Sequence, residues 1–376
     1  MNLPAPRAAY IHVPFCKHRC GYCDFAVIAG RDDLVGPYLD ALATELSWLG
    51  QPREVDTLYF GGGTPSHLAT ADLARLCDAV LAWHPLAPGY EWTVEANSES
   101  LSADRLALLA QRGVTRISLG LQSLNDAKLR ALDRQHTRQI ALAAIDAVRQ
   151  AGMQVCVDLI FAAPGETLAA WREELRDAIA AEPHHVSTYG LTFEPGSAFT
   201  TALHRGAIAE LDEELQRTMY AEAIDGLSAA GFEHYEVSNV ARPGRRSRHN
   251  DVYWAGEEYY AAGPGAARYV AGVRETNVRS TLAYLRRIAE GRPVVAESEQ
   301  LAPEQRAREL LVLGLRRLRG VSKSEFAERT GYAVEDLAGR TVAELAELGL
   351  LENTPYHVRL TREGLFVSDA LWPKLV

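Results

Sequence analysis

The chain has 376 residues, long for one hydrophobic core, and its 47% hydrophobic and 23% charged residues predict a soluble globular protein with one large domain and at least one smaller one. A net charge of −10 argues against a general nucleic-acid binder, which needs Lys and Arg in excess to neutralise phosphates. No apolar run approaches the roughly 20 residues of a membrane span, and the start MNLPAPRAAYIHVPF has neither an apolar signal region nor a small-residue cleavage site, so the expected location is the cytoplasm.

Strand-like segments fall at 8–15, 55–60, 91–97, 115–122, 154–161 and 185–193. Helical patterns lie between and after them. In 34–49 the apolar residues Leu34, Tyr38, Leu42, Leu46 and Leu49 recur at helical spacing, and similar patterns occupy about 70–83, 102–112, 137–151, 167–181 and 211–230. Strand then helix, six times, predicts parallel strands with right-handed crossovers. Six units are too few for a closed eight-fold barrel, so the expected fold is α/β, an open partial (β/α)6 barrel with its chemistry at the carboxyl ends of the strands. GFEHYEVSN reads as one more strand, and an aromatic, Gly-rich stretch follows. From about 300 the order helix, helix, helix, hairpin (the last in HVRLTREGLFV) predicts a small α+β winged-helix-like module. The expected parts are a core at 1–235, a connecting region at 236–300 and a C-terminal domain at 301–376.

Of five cysteines, Cys16, Cys20 and Cys23 lie within eight residues, directly after the first strand. Cys77, in a helical pattern, and Cys156, in a strand, read as buried small hydrophobes. Three thiolates can hold three irons of a [4Fe–4S] cubane and leave the fourth open to a small ligand, whereas closed cluster sites use four cysteines. The competing reading is zinc, with His12 or His18 as fourth ligand, although zinc ribbons usually pair two C-x2-C units and no second unit exists here. Gly61-Gly62-Gly63-Thr64-Pro65 ends the second strand-like segment, where glycines let backbone approach a ligand.

C-x3-C-x2-C with aromatic Tyr22 before the last Cys, followed one strand later by GGGTP, resembles the radical S-adenosylmethionine (SAM) superfamily. The resemblance implies a [4Fe–4S] cluster on Cys16, Cys20 and Cys23. It implies SAM contacts from Tyr10, Tyr22, Phe25, Gly62, Gly63, Thr64, Glu95, Gln122, Arg134 and Asp158, with Arg134 toward the SAM carboxylate and Asp158 toward the ribose. More narrowly, YIHVPFC, DTLYFGGGTPS, RISLGLQS, DLIF-x2-PGET and YEVSN resemble the oxygen-independent coproporphyrinogen III oxidase family and its relatives, over about two-thirds of the chain. The oxidase carries a further Cys where this chain has Phe25, and a longer arm before the cluster. The haem-chaperone branch instead carries H-N-x-x-Y-W, present here as His249, Asn250, Tyr253 and Trp254.

An imidazole can ligate haem iron, aromatic rings can face a porphyrin, and Arg245, Arg246 and Arg248 can pair with propionates. The resemblance therefore implies a haem chaperone that delivers haem to acceptor haemoproteins such as respiratory enzymes, at the inner face of the cell membrane and as a homodimer. Its C-terminal domain is expected to close the barrel mouth or to contact partners. The electron donor is not readable. The alternatives are coproporphyrinogen III decarboxylation and a radical SAM methyltransferase. Three departures from the family pattern stand out: Ala162-Ala163 where Gly-Leu is usual, Ser98 where Pro is common, and no His after GPGA at 263–266.

Overall fold

The computed structural model describes residues 5–376, so the first four residues of the expected 1–235 core lie outside the described residues. Six strands run parallel in chain order: β1 (Ala8–Val13), β2 (Val55–Gly62), β3 (Leu86–Ala96), β4 (Arg116–Gln122), β5 (Gln154–Phe161) and β6 (His185–Gly190). Between them lie α1 (Val35–Ser47), α2 (Thr70–Trp83), α3 (Ala103–Arg112), α4 (Arg138–Gln150) and α5 (Leu168–Ala180), and α6 (Glu213–Ala229) follows β6. Ser102, Thr137 and Thr167 start α3, α4 and α5 by accepting a backbone N–H each. Left-handed Gly113 ends α3.

The period-2 alternation of the strands separates two environments. Leu58, Phe60, Trp92, Val94, Ile117, Leu119, Val155, Val157 and Leu159 are buried in the main apolar core. The alternate residues Tyr59, Thr93, Glu95, Arg116, Ser118, Cys156, Asp158 and Ser187 line a lumen. The strands are thus buried on both faces while only one face is apolar.

The sheet is larger than six strands. β7 (Glu233–Glu236) and β8 (Asn239–Ala241) add antiparallel pairings beyond β6, and β9 (Tyr260–Ala262) pairs parallel with β1, giving the order β9-β1-β2-β3-β4-β5-β6-β8-β7. β3 begins five residues before its expected start because a register shift absorbs Pro88 and Gly89: Val55 pairs with Leu86, then Thr57 with Glu91. Helix α7 (Arg248–Trp254) closes the amino end of the lumen. Its first N–H groups, of Arg248 and His249, donate to Glu91 Oε1 at 3.0 and 3.1 Å.

Beyond β9, β10 (Ala267–Val270), β11 (Val273–Asn277) and β12 (Val295–Glu299) form a three-stranded antiparallel sheet. The C-terminal part has its own core around Leu311, Leu315, Phe326, Val342, Val358 and Leu360. It contains α8 (Pro303–Leu315), β13 (Val321–Ser322), α9 (Lys323–Thr330), α10 (Val334–Glu347), β14 (Leu351–Asn353) and β15 (His357–Leu360), the element order of a winged helix. The hairpin lies earlier than the sequence suggests. Arg362–Phe366 is helical, because Thr361 caps it by accepting from the Gly364 N–H at 3.0 Å.

This domain does not cover the barrel mouth. Arg316 lies 4.4 Å from the Trp254 ring centroid, Arg329 donates to the carbonyls of Ala255 and Gly256, and Arg362 pairs with Asp225 of α6 at 2.7 Å. It is therefore fastened to α7 and α6, and no residue of 301–376 lines the lumen.

Candidate functional site

The loop after β1 carries the three clustered cysteines. It is held from several sides: the Cys23 N–H donates to the Cys20 carbonyl at 3.1 Å, His18 Nε2 lies 2.7 Å from Asp133 Oδ2, and His12 Nε2 lies 3.0 Å from the Ala26 carbonyl. Burial lowers the His12 imidazole to about 4, so it is neutral near pH 7. All three thiols are half-buried and line one cavity of about 460 Å³ at the carboxyl ends of the strands. That is the scale of a single small-molecule site. Cys16 Sγ is 3.4 Å from Thr64 Oγ1 and Cys20 Sγ is 3.3 Å from Arg134 Nη1, donors of the kind that tune cluster sulfurs. Among the described residues, no three His, Cys, Asp or Glu side chains converge as a single metal ion requires. Three thiolates on three different irons need no common centre, so this donor set fits a cubane.

The residues expected to meet SAM converge on this cavity, with one exception. Tyr22, Phe25, Gly62, Gly63, Thr64, Glu95, Gln122, Arg134 and Asp158 all line it. Tyr10 does not. Its hydroxyl lies 3.1 Å from His12 Nδ1 and its ring stacks on Tyr59, which stands between it and the cavity. The glycines are needed for packing as much as for ligand approach. A Cβ on Gly62 would fall within 2.3–2.7 Å of the His12 ring, and one on Gly63 within 2.7 Å of the Val13 and Phe15 carbonyl oxygens. The N–H groups of Gly62, Gly63 and Thr64 are spent internally, on Glu95 Oε2 (2.9 Å), Val13 O and Phe15 O (2.8 Å each). Gln122 holds a left-handed backbone (φ 66°), a strained conformation of the kind found at ligand sites.

Two carboxyls sit deep in the cavity. Burial pushes Glu95 up to about 7, against the Tyr59 hydroxyl, which donates to it at 2.8 Å. Burial pushes Asp158 up to about 6, opposed by the Ser187 and Ser118 hydroxyls. Three residues the sequence reading missed complete the site. Tyr59 shares a strand face with Thr57 and Gly61, so period-2 alternation before GGGTP could have found it. Asn97 accepts from Arg134 Nη2 at 2.8 Å and donates to Thr64 Oγ1 at 3.0 Å. Arg116, 2% exposed, reaches Glu91 Oε2 at 3.2 Å and Cys156 Sγ at 3.0 Å, so buried Cys156 faces the lumen and not the apolar core.

The H-N-x-x-Y-W residues lie on α7, divided between two spaces. Asn250 lines the lumen cavity from below. Tyr253 and Trp254 line a separate groove of about 360 Å³ with Tyr10, Tyr259, Tyr269, Arg274 and Arg306. His249, 1% exposed, lies between them. Nδ1 is 2.9 Å from Thr57 Oγ1, Nε2 is 2.8 Å from the Tyr253 hydroxyl, and the ring stacks on Tyr59 at 5.1 Å. Desolvation lowers it to about 3, so it is neutral. Both nitrogens of the imidazole expected to meet haem iron are thus hydrogen-bonded within the protein. Arg245, Arg246 and Arg248 do not reach the groove. They lie at the opposite, amino-terminal end of α7, where Arg246 pairs with Glu233 and Arg248, its first residue, donates to the Gly89 carbonyl. The GPGA loop packs behind the cluster loop, where a Cβ on Gly265 would meet Ala26 at 2.6 Å, and it does not line the cavity.

Comparison with known proteins identifies the family. Residues 10–178 match the family model described as the Radical SAM superfamily, and residues 301–367 match the HemN C-terminal domain. The heme chaperone HemW of Bacillus subtilis is 34% identical over 97% of this chain and 98% of its own length. The chain belongs to the HemW family of radical SAM proteins. Within that family, HemW of Mycobacterium tuberculosis is 38% identical over 97% of this chain and 94% of its own length. A bovine protein described as radical S-adenosyl methionine domain-containing protein 1, mitochondrial, is 35% identical over 98% and 88%. Coproporphyrinogen III oxidase (HemN) from Escherichia coli superposes on this HemW-family chain with a TM-score of 0.88, covering 99% of this chain and 90% of that one at 20% identity; that likeness concerns the fold.

Proposed function

We propose that the protein is a haem chaperone. It binds haem beside α7, carries a SAM-coordinating [4Fe–4S] cluster on Cys16, Cys20 and Cys23, and hands haem to acceptor haemoproteins such as respiratory enzymes. The observation that carries this reading is the full-length likeness to HemW proteins, joined to an intact H-N-x-x-Y-W helix set against the barrel floor. A cluster bound at these thiols supplies an electron to the SAM sulfonium. The chain's own residues do the rest. Thr64 and Arg134 place donors at Cys16 and Cys20, Glu95 and Asp158 offer carboxylates to a cationic ligand, and Tyr22 and Phe25 flank the mouth. Haem is placed outside the lumen, because one cavity of about 460 Å³ is already committed to the smaller ligand.

We further read the protein as a cytoplasmic homodimer working at the inner face of the membrane. Among the described residues no helix is long and apolar enough to cross one. The test is anaerobic: reconstitute the cluster, titrate haem, and separately incubate with SAM, reductant and coproporphyrinogen III. A stoichiometric Soret band without decarboxylated product supports the chaperone. Product formation without a specific haem band overturns it in favour of the oxidase.

A further inference from the structure

We propose that the iron ligand is Tyr253, with its phenolate oxygen on ferric haem seated in the groove and His249 behind it as the hydrogen-bond partner that orients the phenol. This rests on the haem reading above and changes which atom meets the metal. His249 lines neither space. Its Nε2 is covered by the Tyr253 hydroxyl at 2.8 Å, and its other nitrogen is 2.9 Å from Thr57. An iron arriving along the groove therefore meets the Tyr253 side chain in front of the imidazole. To ligate His249 it would have to displace Tyr253, break up the stack on Tyr59 and reorient a ring that is 1% exposed. To ligate Tyr253 it needs only the exchange of one hydrogen bond.

The groove is built for a flat partner. Tyr253 and Tyr259 meet edge to face at 4.7 Å, Trp254 and Tyr269 add ring surface, and Arg274 and Arg306 stand on the wall, both now shared with Glu309. Tyrosinate is an established haem-iron ligand, and a hydrogen-bonded partner behind a metal ligand fixes its orientation. As the Fe–O bond forms, the phenol O–H bond breaks and the proton is released to solvent. The water held by free ferric haem leaves, and the iron stays ferric. The neutral imidazole can then donate to the phenolate from Nε2 and accept from the Thr57 hydroxyl at Nδ1, so no net charge is added behind the ligand. The motif then has a division of labour: Tyr253 binds, His249 assists, Trp254 supplies ring surface, and Asn250 belongs to the lumen.

Ferric haem is titrated into the whole protein as wild type, Tyr253→Phe and His249→Gln, and followed by visible, electron paramagnetic resonance and resonance Raman spectroscopy. The wild type should be high-spin, with a phenolate-to-iron charge-transfer band whose Raman modes shift when the protein carries ring-deuterated tyrosine. Tyr253→Phe should lose the band. His249→Gln should keep it while haem affinity falls about 10–100-fold, the usual cost of losing a partner behind a metal ligand. Tyr253→Phe that binds haem with the wild-type spectrum, or more tightly through an uncovered imidazole, overturns the proposal in favour of His249. The isotope measurement needs no variant, so a misfolded mutant does not shield the claim, and unshifted wild-type modes overturn it. A wild type that binds no haem overturns this proposal and the chaperone reading together.

Discussion

The buried carboxyl of Glu95 makes SAM affinity depend on pH. Its ordinary value is 4.5, and burial moves it to about 7. Ionising it in the empty cavity therefore costs about 3 kcal/mol, at 1.36 kcal/mol per pH unit. A cation placed against it, such as the amino group or sulfonium of SAM, offsets that cost, so binding is tighter when the carboxylate is already ionised. Between pH 6 and pH 8 the ionised fraction rises from about one-tenth to about nine-tenths, so the dissociation constant should fall about tenfold. Anaerobic calorimetry in buffers of different ionisation enthalpy reads both the affinity and the proton released near pH 7.

Glu95→Gln removes the titrating group while keeping an acceptor for Tyr59, and its affinity should be flatter across the same range. The stability of the ligand-free protein should move the opposite way. An acid whose folded value is raised contributes stability below about pH 4.5 that is lost as pH rises through about 7, so the wild type should lose more stability than Glu95→Gln over that interval. Equal pH slopes for SAM binding in wild type and Glu95→Gln would refute the assignment of Glu95 as the group that meets the cation.

Three further outcomes follow from named contacts. Ala162 sits at φ 62°, where glycine carries no Cβ penalty, so Ala162→Gly should raise the unfolding free energy in urea by about 1 kcal/mol; an unchanged or lower value contradicts the strain. Lys128 is held between Glu166 and Glu174 at 2.7 and 2.8 Å, all three buried, so Lys128→Met leaves two carboxylates facing each other and should cost about 3–5 kcal/mol. A loss below 1 kcal/mol would show that the cluster of charges is hydrated. Gly63→Ala puts a methyl group against two backbone carbonyls, which cannot rotate away, so iron retained per chain after reconstitution should drop while the far-ultraviolet circular dichroism stays native. Full iron content would mean that the loop yields without harm.

Much of the core was legible because its signals are local. Each βα unit shows its own period, and the three cysteines stand three to ten residues beyond the end of β1. What was hidden is non-local or too short to have a period. β9 has three residues and acquires its role only by pairing with β1, about 250 positions earlier, and the front of β3 is masked by Pro88 and Gly89. The strand alternation places Tyr10 on the lumen face correctly, but depth along the strand decides whether a side chain reaches the cavity, and Tyr59 stands in the way. His249 carried the same ambiguity. A motif spelled in sequence does not say which of its side chains faces a ligand, and on α7 helical geometry sends His249 inward while Tyr253, one turn later, caps it and borders the groove. Nor does the sequence show that Ala162 sits in left-handed backbone, where the glycine usual at this position carries no strain.

The central claim is haem delivery, and transfer tests it most directly. The reconstituted protein would be loaded with one equivalent of haem and mixed anaerobically with an apo-haemoprotein acceptor, SAM and reductant, and the acceptor's own haem spectrum followed in time. The chaperone reading predicts transfer from wild type faster than haem exchange from a non-specific carrier, and slowed in Cys20→Ser, which breaks the cluster site without touching the groove. An acceptor that gains haem no faster from this protein than from the carrier would contradict it.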